Sequence, residues 1–185
     1  MNNKIMKKIV GLVGLLLLGG GYFYSQQSKS EINNGSEITI VSDAKDEEYK
    51  ASIPGWTVGI DKAFAESKRT GKPIMANFTG SDWCGWCHRL KKSVYDTQEF
   101  KTWAAKNVVL FEADFPKKLK VPEKIALENN ALQRQLGVQG FPTVWMLNTK
   151  EVDGAFTVEA LGSLGYESSA AAFIKKADKI LEKIK

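Results

Sequence analysis

Asp82-Trp83-Cys84-Gly85-Trp86-Cys87-His88 contains both cysteines and the single histidine of the chain. Two cysteines three positions apart cannot staple distant parts of a small scaffold, so their role is local: redox chemistry, cofactor attachment or metal binding. Where Cys-x-x-Cys opens a helix, the first sulfur lies beside unpaired backbone N–H groups and the positive end of the helix dipole. Both favour thiolate over thiol. On this reading Cys84 is the nucleophile, and Cys87, one helical turn on and more buried, resolves the mixed disulfide that Cys84 forms. Gly85 permits close approach of a partner backbone, while Trp83 and Trp86 frame the sulfur with apolar surface.

Upstream, Pro73 to Phe78 is a compact apolar run bounded by turn residues, as a buried central strand requires. Before it, Val58, Ile60, Phe64 and Ala65 lead into a short amphipathic helix that stops at Gly71. Thr79 to Trp83 is a loop. Cys84 opens a helix on which Leu90 and Val94, four apart, share a face. Asp96 or Thr97 caps a further helix through Ala105, and Val108 to Ala113 is a second strand. Strands alternating with helices imply parallel pairing. After a loop containing Lys and Pro, Glu123 to Leu136 reads as a helix closed by Gly137, where the chain turns left-handed. Thr143 to Leu147 and Ala155 to Leu161 read as strands around an Asp153-Gly154 turn. The last helix runs from about Glu167 to Ile184, with Ala171, Ile174, Ala177 and Leu181 on one side. Trp56, Trp103 and Trp145 read as packing residues.

Two motifs, each preceded by a strand, carry a resemblance over about Trp56 to Lys185. Trp83 to Cys87 is similar to the Trp-Cys-Gly-x-Cys of the thioredoxin superfamily, and Gly140-Phe141-Pro142-Thr143 is similar to its Gly-Ile-Pro-Thr segment. The resemblance implies an α/β, thioredoxin-like fold with a central mixed β-sheet flanked by helices, occupying residues 51–185. It implies a thiol-disulfide oxidoreductase that needs no cofactor and no metal. It also implies a cis Pro142 packed against the disulfide, with Phe141 offering backbone hydrogen bonds to a substrate strand. The chain departs from thioredoxin in three places. Trp86 replaces a proline, Asn77 replaces the buried aspartate before the active-site loop, and that loop is one residue longer. A neutral amide cannot take a proton from Cys87, and Glu112 on the following strand is the candidate proton relay. A surface or edge salt bridge is the competing role for Glu112.

Cys84-x-x-Cys87-His88 also satisfies the c-type haem attachment pattern, with Met75 or Met146 as the sixth ligand. Copper or zinc held by Cys84, Cys87 and His88 is a second rival, although structural zinc generally takes four ligands. A redox-inert adaptor using the same groove is a third. The aromatic frame and the Phe-Pro-Thr segment favour the dithiol reading over haem. Gly-Trp between the cysteines matches neither the Gly-Pro of reducing thioredoxins nor the Pro-His of strong oxidants. The dipeptide thus does not set the direction; reductase is the preferred reading, with oxidant or isomerase as the alternative.

The formal charge of +5 includes Lys4, Lys7 and Lys8; without them 23 basic residues face 21 acidic ones, which makes no case for nucleic-acid binding. Lys117, Lys118 and Lys120 form the one remaining basic cluster and read as a solvated loop without a role. Behind the positive start, Ile9 to Tyr24 is apolar with five glycines, as in a secretory signal, and is shorter than the roughly 20 residues of a membrane span. Residues 1–25 are thus read as a signal peptide or signal anchor, and 26–50 as a flexible polar linker. These features place the folded part in the periplasm or cell envelope, where disulfides persist. The implied partners are protein thiols and disulfides, together with a membrane electron donor, since no flavin or nicotinamide motif is present. Contact with the membrane is through the leader alone, if it is uncleaved.

Overall fold

Six consecutive residues, Ile74–Thr79, are buried along their whole length, and they form the strand β1 around which the computed structural model is built. The structure describes residues 49–152 and 155–184, with the backbone alone at 151, 152, 155 and 156. The expected leader, nearly all of the expected linker and the Asp153-Gly154 turn lie outside the described residues. The described residues belong to one compact unit.

Helix α1 (Ile60–Thr70) precedes β1 and ends against Gly71. After β1 come α2 (Gly85–Leu90), a π-helical turn at Lys91–Tyr95, α3 (Gln98–Asn107) and β2 (Val109–Asp114). Then follow α4 (Glu123–Gln135), β3 (Thr143–Val152), β4 (Ala155–Leu164), α5 (Ala170–Leu181) and a closing 3-10 turn. The sheet order is β2-β1-β3-β4, with β1 parallel to β2 and antiparallel to β3, and β3 antiparallel to β4. The expected mixed sheet flanked by helices is the fold observed.

Alternation along each strand divides the core in two. Met75, Val144 and Met146 face a layer made by α2, the π turn, α3 and α5, where Leu90, Val94, Tyr95, Phe100 and Phe173 pack. Ile74, Ala76, Phe78 and Phe111 face α1 and α4 through Ala63 and Leu132. A strand covered on both faces reads as an unbroken apolar run, which is why β1 was legible as central. The outer edge of β2 is covered by the segment before α1. Thr57 donates to the Leu110 carbonyl at 2.9 Å and accepts from the Glu112 amide at 2.9 Å, a single bridge at the middle of that edge.

Local chemistry accounts for most boundaries. Thr97 caps α3 by accepting the Phe100 amide hydrogen at 3.2 Å, settling the choice between Asp96 and Thr97. Gly137 takes a φ of 62°, the left-handed turn expected after α4.

Three expectations are corrected. The strands of the hairpin are ten residues each, because pairing runs on from Leu147 to Val152 and is bulged between Met146 and Leu147. The helix from Cys84 passes through a π turn before Asp96. Finally, α5 starts at Ala170, capped by Ser169, and buries Ala170, Phe173, Ala177 and Leu181. Ala171 is exposed and Ile174 half-buried, since the bulk of Phe173 decides which face turns inward.

Phe173 is fully buried, so Phe173→Ala is expected to lose about 3–5 kcal/mol of stability. Ala171→Ser should stay within about 0.5 kcal/mol of the parent. Urea denaturation of the two variants checks the assignment, and similar losses at both positions would contradict it.

Candidate active site

The end of β1 delivers the chain into a turn, Gly80 to Trp83, that is held from several sides. Ser81 donates its amide to Asp114 at 2.8 Å and its hydroxyl to the same carboxylate at 2.5 Å. Its carbonyl oxygen lies 2.7 Å from Nε2 of His88 on α2. Gly80 is needed by close approach: a Cβ there would come within 2.5 Å of the Trp83 indole. That indole donates Nε1–H to the Phe115 carbonyl at 2.9 Å and meets Phe141 edge-on, with centroids 6.0 Å apart.

Cys84 is the N-cap of α2, in extended conformation, and its Sγ accepts the amide hydrogen of Cys87 at 3.2 Å. The two sulfurs are bonded to each other. This is the environment in which a released thiolate is stabilised, since negative charge on Sγ would meet an amide dipole aimed at it. The expected difference in burial is not seen in the disulfide form: Cys84 is 5% exposed and Cys87 is 6% exposed. What distinguishes them is position, because Cys84 lies at the helix start and Cys87 inside the first turn.

The remaining expected site residues fall into two groups. Trp83, Gly85, Trp86, Phe141 and Pro142 belong to the turn, the start of α2 and the segment entering β3, and the Phe141-Pro142 peptide is cis. Trp83 and Trp86 are exposed at 41% and 53%, in contrast to Trp56 in the core. Trp103 donates Nε1–H to Asp178 at 2.8 Å and Trp145 packs on the second core layer, so neither is part of the site. A Cβ on Gly85 would meet nothing within 4 Å, so internal packing does not require glycine there.

Glu112 stands apart. It is 1% exposed, not on a surface salt bridge, and its two oxygens accept the Ser52 amide at 2.6 Å and the Ser52 hydroxyl at 2.9 Å. It is the register partner of Asn77, whose Oδ1 accepts the Tyr95 hydroxyl at 3.3 Å. Register partners share a face of the sheet, so Glu112, like Asn77, faces the helical layer of Tyr95 that also carries Cys87, and the Tyr95 phenol is held well above its usual range, first by burial and then by the charge of Glu112. Burial raises the Glu112 carboxyl from 4.5 to about 7, against the pull of the Ser52 hydrogen bonds.

His88, Met75 and Met146 do not converge on one point. His88 is engaged with Ser81, while Met75 and Met146 are fully buried partners on adjacent strands. Among the described residues no three His, Cys, Asp or Glu side chains are gathered as a metal cluster.

Three features escaped the sequence. Asp82 accepts amide hydrogens from Lys117, Lys118 and Leu119 at 2.9, 2.6 and 3.2 Å, tying the loop after β2 to the cysteine turn. Tyr166 packs against Trp86, with centroids 4.9 Å apart. Arg89 and Lys117 lie over the Trp86 and Trp83 rings at 4.5 and 4.2 Å. An i,i+3 pattern could have found the Arg89 contact; no local pattern marks a carboxylate that binds amides 35 residues away.

A bonded Cys-x-x-Cys at a helix start, beside a cis X-Pro on a neighbouring strand entry, defines the thiol-disulfide oxidoreductases of thioredoxin-like fold. The chain belongs to the thioredoxin-like domain family, whose model matches residues 60–164, and it is a thiol-disulfide oxidoreductase. It is 33% identical over 122 residues to the disulfide bond reductase DsbH of Chlamydia pneumoniae, covering 65% of this chain and 69% of that one. A solved DsbH oxidoreductase superposes with a TM-score of 0.59 at 28% identity, over 75% of this chain and 94% of that one. A thioredoxin from Thermus thermophilus shares the fold, with a TM-score of 0.52 at 21% identity over 71% of this chain and 88% of that one.

A carboxyl that binds its proton more tightly in the folded chain than in the unfolded one favours folding most at low pH. That contribution is complete below about 4.5 and is lost as pH rises to about 7. Glu112→Gln is therefore expected to remove a fall in stability of up to about 3 kcal/mol across that window. Denaturation midpoints at pH 4.5 and pH 8 check this, and an unchanged pH slope in the variant would contradict it.

Proposed function

We propose that the chain is a disulfide reductase acting on exported proteins in the periplasm or cell envelope. The observation that carries this reading is Sγ of Cys84 at the start of α2, accepting the Cys87 amide hydrogen. The likeness to a disulfide bond reductase supports the direction. The export-like leader supports the compartment.

In the dithiol form, the Cys84 thiolate attacks one sulfur of a substrate disulfide. The substrate S–S bond breaks, a mixed disulfide forms and the departing substrate thiolate takes a proton. Cys87, having released its proton, then attacks Sγ of Cys84. The mixed disulfide breaks, the second substrate sulfur leaves and is protonated, and the Cys84–Cys87 bond observed here closes. Two electrons pass from the protein to the substrate. A membrane-held dithiol donor restores the reduced form by the reverse exchange, transferring two electrons and two protons.

Trp83, Trp86, Phe141 and Pro142 form the surface against which the substrate strand lies, and Gly85 leaves room for its backbone. Glu112 is the buried acid that exchanges the Cys87 proton. Its near-neutral titration and its place facing the layer that carries Cys87 support that role.

Cys84→Ala is expected to abolish reduction of insulin by the dithiol form, whereas Cys87→Ala should accumulate mixed disulfides visible on non-reducing gels. Insulin reduction that survives Cys84→Ala would overturn the reading. Gly85→Ala should change stability by no more than about 1 kcal/mol while lowering kcat/KM for protein disulfides. Unchanged kcat/KM would exclude close backbone approach at that position.

A further inference from the structure

The basic loop after β2 has no partner in the reaction as described, yet the structure brings it to the dithiol. Asp82, two residues before Cys84, accepts the amide hydrogens of Lys117, Lys118 and Leu119 at 2.9, 2.6 and 3.2 Å. The carboxylate is thereby consumed by backbone groups. Those hydrogen bonds, Lys117's first, hold its acid form below the ordinary carboxylate range, so it remains charged and keeps its grip on the loop. Anchoring at Asp82 carries Lys117 over the Trp83 ring, 4.2 Å from its centroid, with both side chains exposed. On the other tryptophan the same arrangement recurs: Arg89 lies 4.5 Å from the centre of the exposed Trp86 ring. Each tryptophan next to the dithiol therefore presents an apolar ring with a cation on it. The one acidic side chain in the Asp82 to Arg89 segment is already occupied by amides.

Resting on the reductase reading, we propose that Lys117 and Lys118 on one side and Arg89 on the other select substrate disulfides in acidic polypeptide segments. Asp82 acts as the positioning residue that holds the lysine loop beside Cys84. An apolar residue next to the substrate cysteine lies on a tryptophan, and an Asp or Glu one or two positions away meets the cation stacked there. Charge complementarity of this kind acts chiefly on encounter, so it appears in kcat/KM and is sensitive to salt.

The test uses the full chain in dithiol form and three disulfide peptides of one sequence, with Asp, Gln or Lys on both flanks of the cysteine, at low and high ionic strength. The Asp peptide should be reduced about tenfold faster in kcat/KM than the Lys peptide at low salt, with the ratio shrinking severalfold at 0.5 M salt. Lys117→Glu combined with Lys118→Glu should bring the ratio to unity or invert it. Lys175→Glu combined with Lys179→Glu, an equal change of net charge on exposed positions of α5, should leave the ratio as in the parent. Asp82→Ala should lower it with every lysine still present. Equal rates for the three peptides would overturn the proposal, and so would equal loss of preference in the two double variants. Hydroxyethyl disulfide, which is neutral, separates the two levels: parent protein that reduces it without peptide preference retains the reductase reading and loses only this inference. Failure to reduce it or any of the three peptides overturns both.

Discussion

A sulfur that must meet another protein's disulfide has to be reachable, yet Cys84 and Cys87 are each more than nine-tenths buried. The junction of β1 and α2 reconciles these demands. A strand covered on both faces cannot shift, so it delivers Gly80 to the same place, and the following turn sets Sγ of Cys84 against the Cys87 amide at 3.2 Å. The hydrogen bonds of that turn converge on this placement: Ser81 on Asp114, Ser81 with His88, Asp82 on the loop after β2, and Trp83 on Phe115. Loss of the junction would leave the aromatic frame without a sulfur to frame.

The polar groups beneath the site form a second layer of constraint. Glu112, Asp114 and Asn77 lie on β1 and β2, among the few buried polar side chains, and each has a partner. Burial without partners would be costly, which explains why the segment before α1 is drawn over the edge of β2. Tyr49 and Ser52 come from that segment. The Tyr49 phenol is held well above its usual range, by burial first and by Asp114 next. The stretch that leads into the domain thus contributes to the environment of the buried acids.

Much of this was legible in the residues, for identifiable reasons. β1 was readable because two-sided burial leaves an uninterrupted apolar run, and Gly137 because a left-handed turn has few tolerant residues. The site's outline followed from Cys84, Cys87 and the Phe141-Pro142 segment. On α5 Ala177 and Leu181 face inward as expected, but Ala170 and Phe173 take the places expected of Ala171 and Ile174, because alanines at 170, 171 and 172 suit either face and Phe173 decides by volume. The lysine loop was read as solvated, and its side chains are indeed exposed. Its place beside the cysteine turn depends on Asp82, a contact across 35 positions that no periodicity carries. The pattern puts Glu112 on the second strand, where it lies, but its Ser52 partner is 60 residues away.

The reduction potential of the Cys84–Cys87 pair, measured by titration against glutathione with alkylation and mass spectrometry, tests the central claim most directly. A single two-electron transition near that of reducing thioredoxins, about -270 mV, is the result predicted. A pair that does not cycle at all, or one poised near -120 mV as in strong oxidants, would contradict a reductase built on this helix start.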